Sequence, residues 1–315
     1  MSILRAVSRG MIQSLSSPSL ILLLWLATVL VALPGAFLIA ESVRQDLGQS
    51  LAQEGLRDGF DMDWYSEFES RQDGLAETFE PSKLIAAGPF LDNAEAWLNG
   101  SLFQNHPAIL GLAALYGLLW ALLVGGALDR YARPAQFWTF GRTLESCGRF
   151  AGRMIRLALL GAPLYYLVFR LAGWLLARVA DSAAGASSET PVLLAAVSAS
   201  ALVATLLIAL RTVLDYAKII LVTEERASAL GALFSAAAFV LGHPLKAAGI
   251  QLGFLVLGLL PVAMYHLFGP GTGQSTGWAV GLAFLAGQAV LVSRIYLRLG
   301  LLSGQMAAYR YVERR

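Results

Sequence analysis

The sequence predicts an all-α membrane protein: a polytopic helical bundle of about six transmembrane helices, with cytoplasmic interfacial helices and pseudo-repeats. Two observations predict this class. Of the 315 residues, 57% are apolar and only 14% are charged, whereas soluble domains carry roughly 25% charged residues. The chain also contains six uncharged or nearly uncharged runs. Each approaches the roughly 20 residues that a helix needs to cross the hydrocarbon core.

The six runs must be helices, because a strand in hydrocarbon would leave its backbone donors and acceptors unpaired. The last run crosses only if its helix continues past Arg294. The third contains Arg170 as its one charge. In chain order the predicted spans are residues 19–40, 107–127, 157–177, 191–210, 247–267 and about 277–293.

The first span could also be a secretory signal, since Arg5 and Arg9 precede it. Its 22 uncharged residues exceed an ordinary signal core, and no small-x-small cleavage pattern precedes Glu41. We therefore expect a retained anchor. Residues 1–40 form an interfacial helix at 3–15 followed by this span.

Basic residues predict the orientation, because loops rich in Lys and Arg stay in the cytoplasm. The segments at 1–18, 128–156, 211–246 and 294–315 hold 17 of them, and the opposite segments hold 5. Both termini are therefore expected to be cytoplasmic.

Residues 41–106 are predicted to form an acidic, helical cap on the outer membrane surface. The segment has 13 acidic residues against four basic ones. Its aromatic residues are too numerous for a disordered tail; they are Phe60, Trp64, Tyr65, Phe68, Phe79, Phe90, Trp97 and Phe103. The carboxylates from Asp58 to Glu69 could bind a divalent cation, but a solvated acidic face is the favoured interpretation because the run lacks the spacing of an EF-hand loop.

Residues 107–315 form the predicted five-span membrane domain, which contains a faint repeat. Leu-Asp, followed by Tyr-Ala and a base, occurs at 128–133 and again at 214–218. A stretch too short to cross follows each copy, which predicts interfacial helices near 135–150 and 224–241. For the second, Thr223 is the expected N-cap and a re-entrant hairpin is the alternative. With residues 3–15, this gives three units of interfacial helix, outward span and inward span.

The repeated motif supplies a candidate packing motif at the inner membrane boundary, made of Asp129, Tyr131, Asp215 and Tyr216. Tyrosine suits the interface, since its ring lies among the head groups and its hydroxyl reaches water. The two aspartates could pair with arginines of neighbouring helices and fix how the units pack. A ligand or ion relay at the same depth is the alternative.

Arg170 is the most informative polar residue, because a charge within a span is costly and commonly functional. The favoured interpretation is that Arg170 snorkels to the outer interface or pairs with Asp181 or Glu189. The alternative is an anion or lipid-headgroup contact in a cavity beside Tyr165, Tyr166 and Gln288.

The sequence gives no indication of catalysis. It contains no Gly-x-Ser-x-Gly elbow, Walker loop, His-Glu-x-x-His or dinucleotide-binding turn. Cys147 is the single cysteine and cannot supply a thiolate metal cage. We therefore expect no catalytic residues, no cofactor and no metal.

The spans, the motif at 214–218 and the Glu-Arg-x-Ser-Ala-Leu stretch at 225–230 resemble bacterial six-span membrane proteins of unassigned function. They are also distantly similar to the membrane domain joined to some glycerophosphodiester phosphodiesterases. The resemblance covers most of the chain from Leu110 onward. It implies a repeated helical module in a bacterial inner (plasma) membrane. The phosphodiesterase activity does not carry over, because no catalytic domain of that type is recognisable.

Two functions fit these features. The first is a non-enzymatic membrane module that packs with membrane lipids and with membrane protein partners or further copies of itself. The alternative is a transporter or channel for a small or amphiphilic solute. Nucleic acid is not an expected partner.

Overall fold

The computed structural model is helical throughout its regular structure and describes residues 1–48, 61–80, 88–99, 101, 107–134, 136, 138–183, 188–269 and 276–313. Within these ranges the chain forms ten α-helices and one 3-10 turn, Ala76–Thr78. The α-helices are α1 (Ile3–Leu15), α2 (Pro18–Gly48), α3 (Met62–Arg71), α4 (Gly88–Asn99), α5 (Pro107–Ala132), α6 (Phe140–Ala183), α7 (Glu189–Thr223), α8 (Ala229–Gly242), α9 (Pro244–Phe268) and α10 (Gly277–Glu313).

Six of these helices, α2, α5, α6, α7, α9 and α10, are long and apolar enough to cross a membrane. The chain is therefore an integral membrane protein, and the predicted all-α polytopic bundle is confirmed. We call the end of the bundle that carries α1 and α8 the basal end, and the opposite end, with α3 and α4, the cap end.

Several spanning helices are much longer than the uncharged runs that predicted them. α7 has 35 residues and α10 has 37, which at 1.5 Å per residue makes them about 52 and 56 Å long. A hydrocarbon core is only about 30 Å thick. Both helices therefore continue well past their uncharged runs, and the condition that the last span continue beyond Arg294 is met.

The start of α6 differs from the sequence-based prediction. Instead of a separate interfacial helix near 135–150, a single helix runs from Phe140 to Ala183. No proline interrupts it before Pro163, and its first turns bury Thr143, Cys147 and Phe150 against α5. That three-to-four-residue spacing gives the segment a packed face. The segment consequently extends the span.

The predicted start of the second interfacial helix is also corrected. Thr223 is the last residue of α7, and Ser228 is the N-cap of α8, accepting a hydrogen bond from the Gly231 backbone N–H at 3.1 Å. α8 is one helix of 14 residues, about 21 Å long and too short to cross. Its buried alanines, among them Ala232 and Ala236, face the bundle, where α8 packs chiefly on α7.

The amino-terminal helix α1 packs tightly along α10. At the crossing, Gly10 lies so close to Gly300 that an added Cβ would be 2.2 Å from the Gly300 carbonyl oxygen. Ser14 Oγ donates a hydrogen bond to the Tyr296 carbonyl at 3.0 Å. Small residues let helix backbones approach in this way. α1 is therefore part of the bundle as well as lying at its basal end.

The described parts of the predicted cap are helical and have their own apolar cluster. Trp64, Tyr65 and Phe68 of α3 are buried together with Ala76, against the end of α2. Trp64 Nε1 also donates to Asp46 of α2 at 2.9 Å. Burial raises the pKa of the Tyr65 hydroxyl, and the nearby carboxylates add to the shift. The predicted cap residues Asp58, Phe60 and Phe103 lie outside the described residues.

Helix α4 connects the cap to the bundle through Trp97. The Trp97 ring makes edge contacts with Tyr165 and Phe169 of α6, at centroid distances of 5.8 and 5.4 Å. Edge-to-face aromatic pairs of this kind stabilise by about 1 kcal/mol beyond burial. The contact places α4 directly above the wall of the cavity described next.

Candidate functional site

A cavity of about 870 Å³ lies inside the bundle, and all six spanning helices line it. Helix α9 packs on α10, α1, α7 and α8, and the cavity lies between α9 and the pair α5 and α6. Its size is within the range of ordinary ligand sites. Along α9 the lining runs from Gln251 to Val262, which corresponds to about 16 Å of helix.

The walls of the cavity are mostly apolar, and its charges are gathered on two helices. The apolar lining includes Trp120, Leu157, Phe254, Leu255, Leu291 and Ile295. The charged lining comprises Arg211, Asp215 and Lys218 of α7, and Arg294 and Arg298 of α10. We call these five residues the basic cluster. Helical neighbours three or four positions apart share a face, which is why each helix presents its charges together.

Asp215 organises the basic cluster. It is completely buried, and both of its carboxylate oxygens accept hydrogen bonds from the Arg298 guanidinium, each at 2.7 Å. Lys218 Nζ donates to the same carboxylate at 2.9 Å. A bidentate pair of this type is strong and geometrically specific. The carboxylate therefore fixes Arg298 and Lys218 at the cavity wall.

Arg211 and Arg294 have a different environment. Both are exposed although both line the cavity. Within the described part of the chain, no hydrogen bond or ion pair to protein engages either guanidinium. Arg211 interacts electrostatically with Arg294, Arg298 and Asp215. Two guanidinium groups therefore bring unused donors to a cluster that is already positive.

The basic cluster lies at the basal edge of the apolar part of the bundle. Arg211 directly follows the 20 uncharged residues 191–210, a length of about 30 Å that matches the hydrocarbon core. Arg294 likewise follows the uncharged residues 277–293. From these lengths we expect the cluster to lie at the depth where lipid head groups meet the chains.

The structure separates the four residues of the predicted intramembrane polar site. Tyr165 lines the cavity, whereas Arg170 and Tyr166 are exposed on α6. Gln288 of α10 accepts a hydrogen bond from Trp25 Nε1 at 2.8 Å. Only Tyr165 is among the lining residues. Arg170, one and a half turns towards the cap end, is not.

The predicted packing motif lies at the basal end, and both of its aspartates are paired. Asp129 is 3.1 Å from Arg133 and accepts a hydrogen bond from Ser146 of α6 at 2.8 Å. Asp215 pairs with Lys218 on its own helix and with Arg298 of α10. Each copy of the motif thus joins a nearby base to a group on another helix.

The two tyrosines of the packing motif are core residues and do not have wet hydroxyls. Tyr131 and Tyr216 are 3% and 0% exposed. The Tyr216 ring is 4.8 Å from that of Phe239 in α8. Interfacial tyrosines would keep the hydroxyl in water. Here the rings instead hold neighbouring helices together.

A second group of ion pairs surrounds the turn between α7 and α8. Glu225 bridges Arg133 at the end of α5 and Arg149 of α6, with both N–O distances 2.7 Å. Its backbone has a φ of 51°, the left-handed region that non-glycine residues rarely adopt. Tyr309 of α10 donates to Glu224 in the same turn. These contacts tie four helices together at the basal end.

The site residues predicted from the sequence do not include Arg211, Lys218, Arg294 and Arg298. All four fall in the predicted cytoplasmic loops, because each of the two predicted spans concerned ends before its first charge. The spacing of these charges in the sequence indicates the site, because positions 211, 215 and 218 share one helical face and positions 294 and 298 share another. If α7 and α10 are continued three turns past their uncharged runs, each has a charged face at the same depth.

The chemistry of the lining residues is suited to binding. The cations of the cavity can hold an anion, and its apolar walls can hold hydrocarbon. In the described ranges, no three His, Cys, Asp or Glu side chains converge to hold a metal ion.

Comparison of the chain with protein-family models, with curated proteins and with solved structures finds no match.

Proposed function

We propose that this integral membrane protein is a non-enzymatic lipid-binding module, whose cavity holds an anionic amphiphile. The head group contacts the basic cluster at the basal end, and the hydrocarbon chain lies along the apolar walls towards Trp120 and Leu255. The distribution of charge in the cavity carries this proposal: four cations and one carboxylate gather at one end of an otherwise mostly apolar space.

Electrostatics favours an anion there. Asp215 can neutralise only one of the four cations. Uncompensated charge close to hydrocarbon is expensive, so an anionic head group lowers the free energy of the occupied site. Arginine is also less strongly hydrated than lysine and matches the fork geometry of phosphate or carboxylate.

The cavity has a route along which a lipid chain could enter. It lies between α9 and the pair α5 and α6, and α9 packs chiefly elsewhere. A gap between spanning helices opens sideways to lipid. Small residues on both sides, Gly258 of α9 and Ala158 and Ala162 of α6, leave room for an acyl chain.

A transporter or channel for a small or amphiphilic solute is less well supported. A small polar solute needs polar groups along its path, whereas here the charged groups occupy one end of the cavity. The proposed location is a bacterial inner membrane with both termini cytoplasmic, because the excess of basic residues lies at that face. Membrane protein partners or further copies of the chain are compatible with this role.

Native mass spectrometry of the full chain, purified in mild detergent, tests the proposal. The variant is Arg211→Gln with Arg294→Gln, and the matched control is Arg170→Gln, which removes an exposed arginine that does not line the cavity. We expect a bound anionic lipid on the wild type and on the control, and a loss of at least about tenfold in occupancy on the double variant. Equal occupancy on all three proteins would refute the proposal.

A further inference from the structure

We infer that the head group held by the basic cluster is a terminal phosphate monoester or diphosphate, in preference to a phosphodiester or a carboxylate. This inference rests on the proposed function and narrows it to one class of ligand. It follows from the balance of charge in the cluster and from the number of donors that remain unused.

To balance the charge of the basic cluster, the ligand must carry more than one negative charge. Among the described residues that line the cavity, Asp215 is the single acidic one, and its one charge is shared by Arg298 and Lys218. Arg211 and Arg294 are uncompensated, so the cluster carries about three excess positive charges. A carboxylate or a phosphodiester supplies one negative charge. A phosphate monoester supplies about 1.5 to 2 at neutral pH, and a diphosphate supplies more.

The donors indicate the same class. A guanidinium has five N–H donors and an ammonium has three. Arg211 and Arg294 use none of theirs on protein within the described residues, and Lys218 uses one on Asp215. A terminal phosphate has three unsubstituted oxygens, one for each of these three cations. A phosphodiester has two, so two of the three cations would have to share one oxygen.

Competition binding to the full chain in lipid nanodiscs tests the inference. The ligands are phosphatidic acid and phosphatidylglycerol with identical acyl chains, a fatty acid of the same chain length, and inorganic phosphate. We expect phosphatidic acid to bind at least about tenfold more tightly than phosphatidylglycerol or the fatty acid at pH 7.5. The preference should disappear in Arg211→Gln with Arg294→Gln and persist in Arg170→Gln.

Acidification supplies a second measurement, because a phosphate monoester loses its second charge near pH 6. The preference should fall severalfold between pH 7.5 and pH 5. The titratable groups that face the ligand are Tyr116 of α5, Tyr165 of α6 and the basic cluster of α7 and α10, while α2 and α9 contribute the neutral Thr28 and Gln251. The affinity for phosphatidylglycerol, measured over the same pH range, reports any effect of protonating those groups.

The outcomes distinguish this inference from the proposed function. Equal affinity for phosphatidic acid and phosphatidylglycerol would overturn the inference and leave an anionic-lipid module. Binding of none of the three lipids would overturn both. Inorganic phosphate that competes as well as phosphatidic acid would support the phosphate chemistry and identify free phosphate as its source, which overturns the lipid module.

Discussion

Replacing Asp215 by leucine should destabilise the bundle more than almost any other single change at the basal end. The carboxylate is completely buried, whereas the side chains of Arg298 and Lys218 are 18% and 25% exposed. Removing one member of a buried pair costs about 3 to 5 kcal/mol, because it leaves a charge without compensation. Because water can partly solvate both cations, we expect the free energy of unfolding to fall by the lower limit of this range, about 3 kcal/mol.

A double-mutant cycle separates the ion pair from the rest of this effect. Arg298→Leu alone should cost about 1 to 2 kcal/mol, because Asp215 keeps Lys218 as a partner. The double variant should be nearly as stable as Arg298→Leu, since an apolar pair often replaces a buried ion pair without loss. The expected coupling free energy is therefore about 3 kcal/mol, the cost of Asp215→Leu alone.

Equilibrium unfolding in mixed micelles with increasing SDS, followed by far-UV circular dichroism, measures all four proteins. Asp129→Leu is the matched control at the other copy of the motif. Its partner Arg133 retains Glu225, so the expected cost is only about 1 to 2 kcal/mol. Additive single variants, with coupling below about 0.5 kcal/mol, would show that Asp215 does not hold Arg298 as described.

The remaining predictions concern the crossing of α1 and α10, the backbone of Glu225 and the orientation of the chain in the membrane. Gly10→Ala should destabilise the protein by about 1 to 3 kcal/mol in the same unfolding assay, since its Cβ would collide with the Gly300 carbonyl. The control Gly287→Ala, whose Cβ meets open space, should change stability by less than about 0.5 kcal/mol. Equal effects of the two variants would contradict the close crossing. Glu225→Gly should be about 1 kcal/mol more stable than Glu225→Ala, because both lose the ion pairs but glycine relieves the positive φ; an alanine variant at least as stable as the glycine variant would count against strain there. In a Cys147→Ala background in intact cells, a membrane-impermeant maleimide should label Ser66→Cys in the cap and leave Ser8→Cys in α1 unlabelled; the reverse pattern would invert the proposed orientation.

The sequence predicts the spanning helices well because one property, the absence of charge over about 20 residues, decides membrane insertion. The limits of α1 are equally readable: an amphipathic stretch ends just before Pro18, which begins the first span. These features depend on residues close in sequence. They need no knowledge of tertiary contacts.

Features decided by tertiary packing are harder to predict. Thr223 and Ser228 are both good N-cap residues, and only the packing of α7 decides that Thr223 still belongs to the preceding helix. The stretch near 135–150 is too short and too interrupted to cross by itself, which predicts an interfacial helix, yet its buried residues Cys147 and Phe150 face α5 and the segment extends α6. The resemblance to the phosphodiesterase-linked membrane domain stays a prediction.

The basic cluster was hidden for a related physical reason. A charge at the end of a span is equally consistent with a loop residue and with a helical residue that lines a cavity. Arg211 and Arg294 become a site only when α7 and α10 are placed side by side. Asp215 belongs to the packing motif predicted from the sequence, but its partner Arg298 is 83 positions away.

The contact between α1 and α10 has a consequence for biogenesis. The hydrogen bond from Ser303 to Gln13 joins residues separated by 290 positions, so α1 is synthesised long before α10, the helix on which it mainly packs. Before α10 is made, the apolar face of α1 lacks the helix that covers it. We expect α1 to lie at the membrane interface during that time, because an amphipathic helix binds there. The packing of α1 on the bundle is therefore completed only after α10 has been synthesised, and a ribosome that stalls before Gly300 leaves α1 without this contact.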